Sequence, residues 1–169
     1  MRVYLPATTT ILRELADTGQ LRSGSTTAFA VTPGLLDWYA EGDQDELEYA
    51  AMLEAARASL RLLDADPAAD RRRVVVVAEL SEDDLVVRDD LDRGVVQLHR
   101  MPLLAELASV HVDDDDARAA IGAAAAAILR ADLGDQPAQD AVDDAEGFEL
   151  SWYATQEISA LLEASALAE

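Results

Sequence analysis

The densest cluster of ionisable side chains is Asp113-Asp114-Asp115-Asp116, placed where an alternating run, Ser109 to Asp113, hands over to an alanine-rich helical pattern. Carboxylates at a strand end can hold Mg²⁺ against a substrate phosphate, which would make this a site for metal-assisted hydrolysis or phosphoryl transfer. The same acids also suit a helix N-terminus, where each gains about 0.3 to 1 kcal/mol from the macrodipole, so a solvated cap explains them as well. Strand alternation groups His99 with Gln97, and His111 with Ser109 and Asp113, on the faces opposite Leu98 and Val110/Val112. Were those strands neighbours, His99 and His111 with Asp113 or Asp114 would form a two-histidine, carboxylate metal set, or His111 would act as a general base. The plainer counterpart is two hydrogen-bonded structural histidines. Ser109, His111 and Asp113 also have the residue types of a nucleophilic triad, but no Gly-x-Ser-x-Gly elbow accompanies them.

Both tryptophans and half of the tyrosines fall in two echoing stretches, Leu36-Asp37-Trp38-Tyr39-Ala40 and Leu150-Ser151-Trp152-Tyr153-Ala154. Each opens onto an amphipathic run, so Trp38, Tyr39, Trp152 and Tyr153 read first as core anchors and second as an interaction groove. As core anchors the tryptophans are expected to be buried, with Trp152→Ala costing about 3 to 5 kcal/mol.

Absences narrow the chemistry. The chain has no cysteine, hence no thiolate nucleophile, disulfide or cysteine-held zinc or iron-sulfur site. It has no lysine, hence no Schiff base and no Walker phosphate loop. None of the glycines forms a phosphate-cradling loop, so no cofactor is expected. Glu41 to Glu48 resembles a calcium loop only superficially, because the glycine and terminal glutamate spacing is missing. The one basic cluster, Arg71-Arg72-Arg73, reads as a charged flank that solubilises the apolar run Val74 to Val77.

Thirty-four acids against thirteen bases leave a net charge of -21, which repels phosphate backbones and anionic lipid surfaces. Direct nucleic-acid binding and membrane association are therefore not expected, and no apolar run approaches the roughly 18 residues of a membrane span. A cytoplasmic protein meeting a basic protein partner fits this composition.

The elements that must position these residues follow from periodicity and caps. Arg2 to Leu5 reads as a strand, Thr8 to Thr10 offer N-caps for a helix bearing Ile11, Leu12 and Leu15, and Gly19 stops it. Thr27 to Thr32 reads as a strand and Leu35 to Tyr39 as a helical turn. Asp43 caps a long helix with an expected core stripe of Tyr49, Met52, Leu53, Ala56, Leu60 and Leu63. Val74 to Val77 is the candidate central strand, and Leu85 to Val87 a further short one. Gly94 to His99 and Ser109 to Asp113 read as strands joined by a compact crossover, and a helix follows on Ala117, Ile121, Ala124, Ala125 and Ile128. Asp135 to Pro137 starts another helix, and Phe148 to Leu167 reads as the last. The fold class is thus α/β or α+β: a single domain over residues 1–169, with a mixed sheet of about 4–6 short strands layered with helices and a helical C-terminal third. Residues 2–64 and 94–146 repeat the same order of elements, which suggests internal duplication.

The stretches Thr27 to Pro33 (TAFAVTP), Trp38 to Asp43 (WYAEGD), Ser109 to Asp114 (SVHVDD) and Trp152 to Glu157 (WYATQE) give the whole chain a resemblance to a bacterial family catalogued only as a domain of unknown function. That resemblance implies no catalytic residues. Two functions remain in view: an acidic, non-enzymatic module that binds a basic protein, and a small metal-dependent enzyme sited near His111 and Asp113 to Asp116.

Overall fold

The computed structural model describes residues 1–21 and 24–167, with side chains to residue 164. Seven strands form one sheet: β1 (Arg2–Ala7), β2 (Thr27–Phe29), β3 (Val74–Glu79), β4 (Leu85–Val87), β5 (Val95–Leu98), β6 (Leu107–Asp113) and β7 (Leu150–Tyr153), in the order β4-β5-β2-β1-β3-β6-β7. Every neighbouring pair is antiparallel. The expected mixed sheet of 4–6 strands is therefore a fully antiparallel sheet of seven. The expected crossover between Val95–Leu98 and Leu107–Asp113 is absent as well, because β5 and β6 lie four strand positions apart with only a 3-10 turn, Leu104–Glu106, on the way.

The strands are apolar in succession because both faces are covered. Along β3, Val74, Val76 and Ala78 join Val3, Leu5 and Ala7 of β1 beneath α1 (Thr9–Thr18) and α6 (Ile158–Leu167). Val75 and Val77, with Tyr4, face the opposite layer, formed by α3 (Gln44–Ala65). Burying a valine side chain is worth about 1.5 to 3 kcal/mol, so this β-branched run makes β3 a well-buried interior strand, one place from β1 at the middle of the sheet. The C-terminal half of α3 packs through Leu60 and Leu63 on α4 (Arg118–Asp132), which packs in turn on α5 (Gln136–Glu146). Ser59, fully buried on α3, accepts from Val74 N–H at 3.1 Å and donates to the Ala7 carbonyl at 2.7 Å, pinning the helix to two strand ends.

Caps sit where the sequence placed them. The Thr8 hydroxyl accepts from Ile11 N–H, Asp43 from Glu46 N–H, and Asp135 from Ala138 N–H with Pro137 in the first turn. Gly19 ends α1 at φ 73, a left-handed conformation that glycine adopts without penalty. The short α2 (Pro33–Trp38) is held by Asp89, whose carboxylate accepts from the Thr32 hydroxyl and from the Gly34 and Gly94 amides. A Cβ at Gly34 would lie 2.5 Å from the Asp89 carboxyl carbon, so the clip requires glycine there.

The chain departs from the sequence reading in three further ways. A helix from Phe148 onwards was expected, but Leu150–Tyr153 forms the edge strand β7 and the helix begins only at Ile158. The arginine triplet is not a solvated flank. Arg71 donates to the Leu63, Asp66 and Ala69 carbonyls and so caps α3, Arg72 bonds Asp70 and Asp115, and Arg73 is 2% exposed. Its guanidinium makes a two-pronged pair with Asp113, itself 1% exposed, at 2.8 Å on both oxygens, and also donates to the Phe148 carbonyl at 2.8 Å. Finally, Trp38 and Trp152 are 61% and 60% exposed, so neither is a core anchor.

Breaking the buried pair from one side strands a charge, so Arg73→Met or Asp113→Ala should each destabilise the protein by about 3 to 5 kcal/mol in denaturant unfolding. The double change Arg73→Met/Asp113→Leu should lose clearly less than the sum of the single losses, and additivity would show that the two residues act independently.

Candidate functional site

The most developed concavity runs between α3 and the strands β3, β6 and β7, on the face of the sheet that carries Tyr4 and Val77. It consists of two adjoining depressions of about 290 and 260 Å³ that share Tyr49, Met52, His111 and Trp152. Register explains its floor. His111 of β6 pairs directly with Trp152 of β7, so imidazole and indole project side by side from the same face, their Cβ atoms about 4.5 to 5.5 Å apart.

Its wall comes from an offset in α3. The helix seats Leu47, Ala51 and Ala55 on the sheet rather than the expected Tyr49, Met52 and Leu53. Alanine lets helix and sheet approach closely, and the large side chains are turned aside. Tyr49 is left 47% exposed at the groove, with Met52 and Leu53 half-buried beside it. The remainder of the expected stripe, Ala56, Leu60 and Leu63, is buried.

Carboxylates mark both ends. Asp45 and Glu48 stand at one end and Glu149 at the other. The single arginine of the lining, Arg2, is engaged by Glu79 at 2.7 Å and Glu48 at 4.0 Å. Burial, aided by Glu48 and opposed by Arg2, pushes the Tyr4 phenol up to about 12, so it remains a neutral hydroxyl. Burial alone holds the His111 imidazole below its ordinary value of 6.5.

The other candidates are dispersed. His99 is exposed just beyond β5, four strand spacings from β6, or roughly 19 Å at about 4.8 Å each, and cannot share a ligand with His111. Both oxygens of Asp113 are taken by Arg73, and Asp114 accepts from the Ser151 hydroxyl at 2.8 Å. His99, His111, Asp113 and Asp114 are thus not assembled into a metal set. Among the described residues no group of three or more His, Cys, Asp or Glu side chains is placed to hold a metal. A cavity of about 430 Å³ does open at Asp114, Asp115 and Asp116, but Asp115 there pairs with Arg72 and Arg118. Trp38 lies under the Arg93 guanidinium, 3.5 Å from the ring centroid, and Tyr153 points to the opposite sheet face.

Among the groove residues, sequence reasoning missed Arg2, Tyr4, Tyr49 and Glu149 as site residues. The period-two alternation of β1 does place Arg2 and Tyr4 on one face, but nothing local tells which strands or which side of α3 they meet.

Residues 1–162 match the model of a family described as a family of unknown function (DUF6912), and the chain belongs to that family. No curated protein and no solved structure matches it. No helix among the described residues is long and apolar enough to cross a membrane.

The exposed indoles reverse the earlier expectation. Trp152→Ala should change unfolding stability by less than about 1 kcal/mol, and tryptophan emission should be readily quenched by acrylamide. Because the unfolded chain binds the His111 proton more readily than the folded one, this residue's contribution to stability is complete above about pH 6.5. It is lost as pH falls from there through the lower folded-state value. A pH series comparing the protein with His111→Gln should show the variant losing less stability over that window, and NMR titration of the ring should give a pKa below 6.5.

Proposed function

We propose that this member of the family is a non-enzymatic binding module whose groove receives cationic side chains of a basic protein. The observation that carries the reading is Trp152: a large indole left open beside Tyr49 and His111, rimmed by Asp45, Glu48 and Glu149, in a chain of net charge -21. The chain also holds a self-contained example of the contact. The Arg93 guanidinium lies over Trp38, near Asp92 and Glu54, and among the described residues no guanidinium occupies the equivalent place over Trp152.

Magnitudes set what the groove can do. One cation–π contact contributes about 0.5 to 2 kcal/mol and each exposed ion pair about 0 to 1. Together they reach a few kcal/mol, the range of millimolar binding, so side-chain contacts give charge selectivity and a fast encounter rather than tight capture.

The test titrates an acetylated and amidated peptide, (Thr-Arg)₃-Thr, into the protein and its variants, with amide NMR shifts and line shapes as readout. Binding should weaken at least tenfold between about 0.05 and 0.5 M salt, where the Debye length contracts from above 10 Å to below 8 Å. Asp45→Lys/Glu149→Lys should act mainly by slowing association, and Trp152→Ala by speeding release. Equal binding by the parent and both variants would remove the reading. The free protein should itself melt higher as salt rises from about 0.01 to 0.15 M, since screening relieves repulsion among its carboxylates.

A further inference from the structure

The sheet ends at β7, and among the described residues no strand pairs with its outer side. Which backbone groups lie on that side follows from a single bond. Asp113 N–H donates to the Arg73 carbonyl at 3.2 Å, which turns the odd-numbered residues of β6 towards β3. In an antiparallel ladder the inward and outward backbone groups alternate, so Val110 and Val112 of β6 face β7. Their partners are Tyr153 and Ser151, whose N–H and C=O groups therefore point inward. Leu150 and Trp152 are left with their N–H and C=O groups directed outward along the open edge. The residue presenting the exposed indole is thus also one of the two with free ladder groups.

We propose that the basic partner docks as an extended segment that adds an eighth strand to β7, pairing with the backbone of Leu150 and Trp152 and laying an arginine over the Trp152 indole. This rests on the reading of the groove as a cation site and supplies what that reading lacks, since main-chain bonds add affinity that is independent of sequence while the side chains on one face select the occupant. The geometry suits arginine. A side chain on the added strand beside Trp152 stands about 4.5 to 5.5 Å from it at Cβ, on the face with Tyr49 and His111, and its guanidinium reaches both the indole and Glu149. Charge argues against a second copy of this chain as the occupant, because each carries -21. The opposite edge strand, β4 (Leu85–Val87), presents no tryptophan of its own.

The experiment uses the acetylated (Thr-Arg)₃-Thr amide and two derivatives, one N-methylated at every arginine and the other at every internal threonine. Strand addition uses the N–H of alternate residues only, so one derivative should bind at least tenfold more weakly than the parent and the other within about threefold. An added strand running antiparallel to β7 would lose the arginine series, and a parallel one the threonine series. Amide hydrogen exchange followed by NMR gives the reading from the protein's side. In the free protein Leu150 and Trp152 should exchange faster than Ser151 and Tyr153, and saturating peptide should slow the first pair at least tenfold. Spermine, a cation without a peptide backbone, should compete for the groove yet leave those amides unprotected. If the two derivatives bind alike and exchange at Leu150 and Trp152 is unchanged by peptide, strand addition is wrong and the cation groove survives. If neither peptide nor spermine binds in a Trp152-dependent, salt-sensitive way, the groove reading fails and strand addition fails with it.

Discussion

The arrangement around the groove depends on one buried ion pair. Arg73 and Asp113 meet where β3 begins and β6 ends, and removing two such charges from water costs several kcal/mol per ion. That penalty is offset because the groups are well satisfied: the carboxylate takes two guanidinium bonds and the Arg73 main-chain N–H, and Nη2 also donates to the Phe148 carbonyl. The last contact carries the functional consequence. Phe148 lies two residues before β7, so the pair that locks β3 to β6 also fixes where the edge strand starts, and Ser151 holding Asp114 gives a second fastening. The register that sets Trp152 opposite His111 is therefore anchored at the end of the sheet where β7 begins.

Local rules carried the sequence reading a long way. Thr8, Asp43 and Asp135 cap the helices they were expected to cap, because a side-chain oxygen three residues ahead of an orphan amide is a short-range relation. The β-branched run from Val74 announced a buried interior strand for a similar reason, although β1 takes the middle position. The failures are non-local with one exception. Strand order placed His99 and His111 far apart, and only tertiary context shows that Arg73 has a buried carboxylate waiting 40 residues away. Strand β7 was the one error a closer local reading could have avoided: Leu150 and Trp152 alternate with Ser151 and Tyr153 between Gly147 and the Thr155 turn, which is strand patterning with aromatic residues of high β preference.

The alanine content governs shape as much as stability. Counting apolar residues by size put Tyr49, Met52 and Leu53 in the core, yet the tighter contact is available to Ala51 and Ala55, with Leu47. Dispersion favours the face that approaches most closely, and once α3 sits on its small side chains the large ones have only the helix flank to occupy. A groove results without a lid, a loop insertion or any sacrifice of core packing. Trp38 and Trp152, set in matching tripeptides and equally exposed, then differ in what lies over the ring: Arg93 over Trp38, and no guanidinium among the described residues over Trp152.

An open β edge invites a protein to polymerise with itself, and most folds blunt it by covering, twisting or shortening the strand. Here the short β7 keeps its outer backbone groups and its indole accessible, and the molecule's overall charge does the guarding. Two copies approaching edge to edge bring like fields together, whereas a cationic segment is drawn in. If the proposed docking holds, discrimination at this edge is a colloidal property, set by the ions around the protein more than by any single residue.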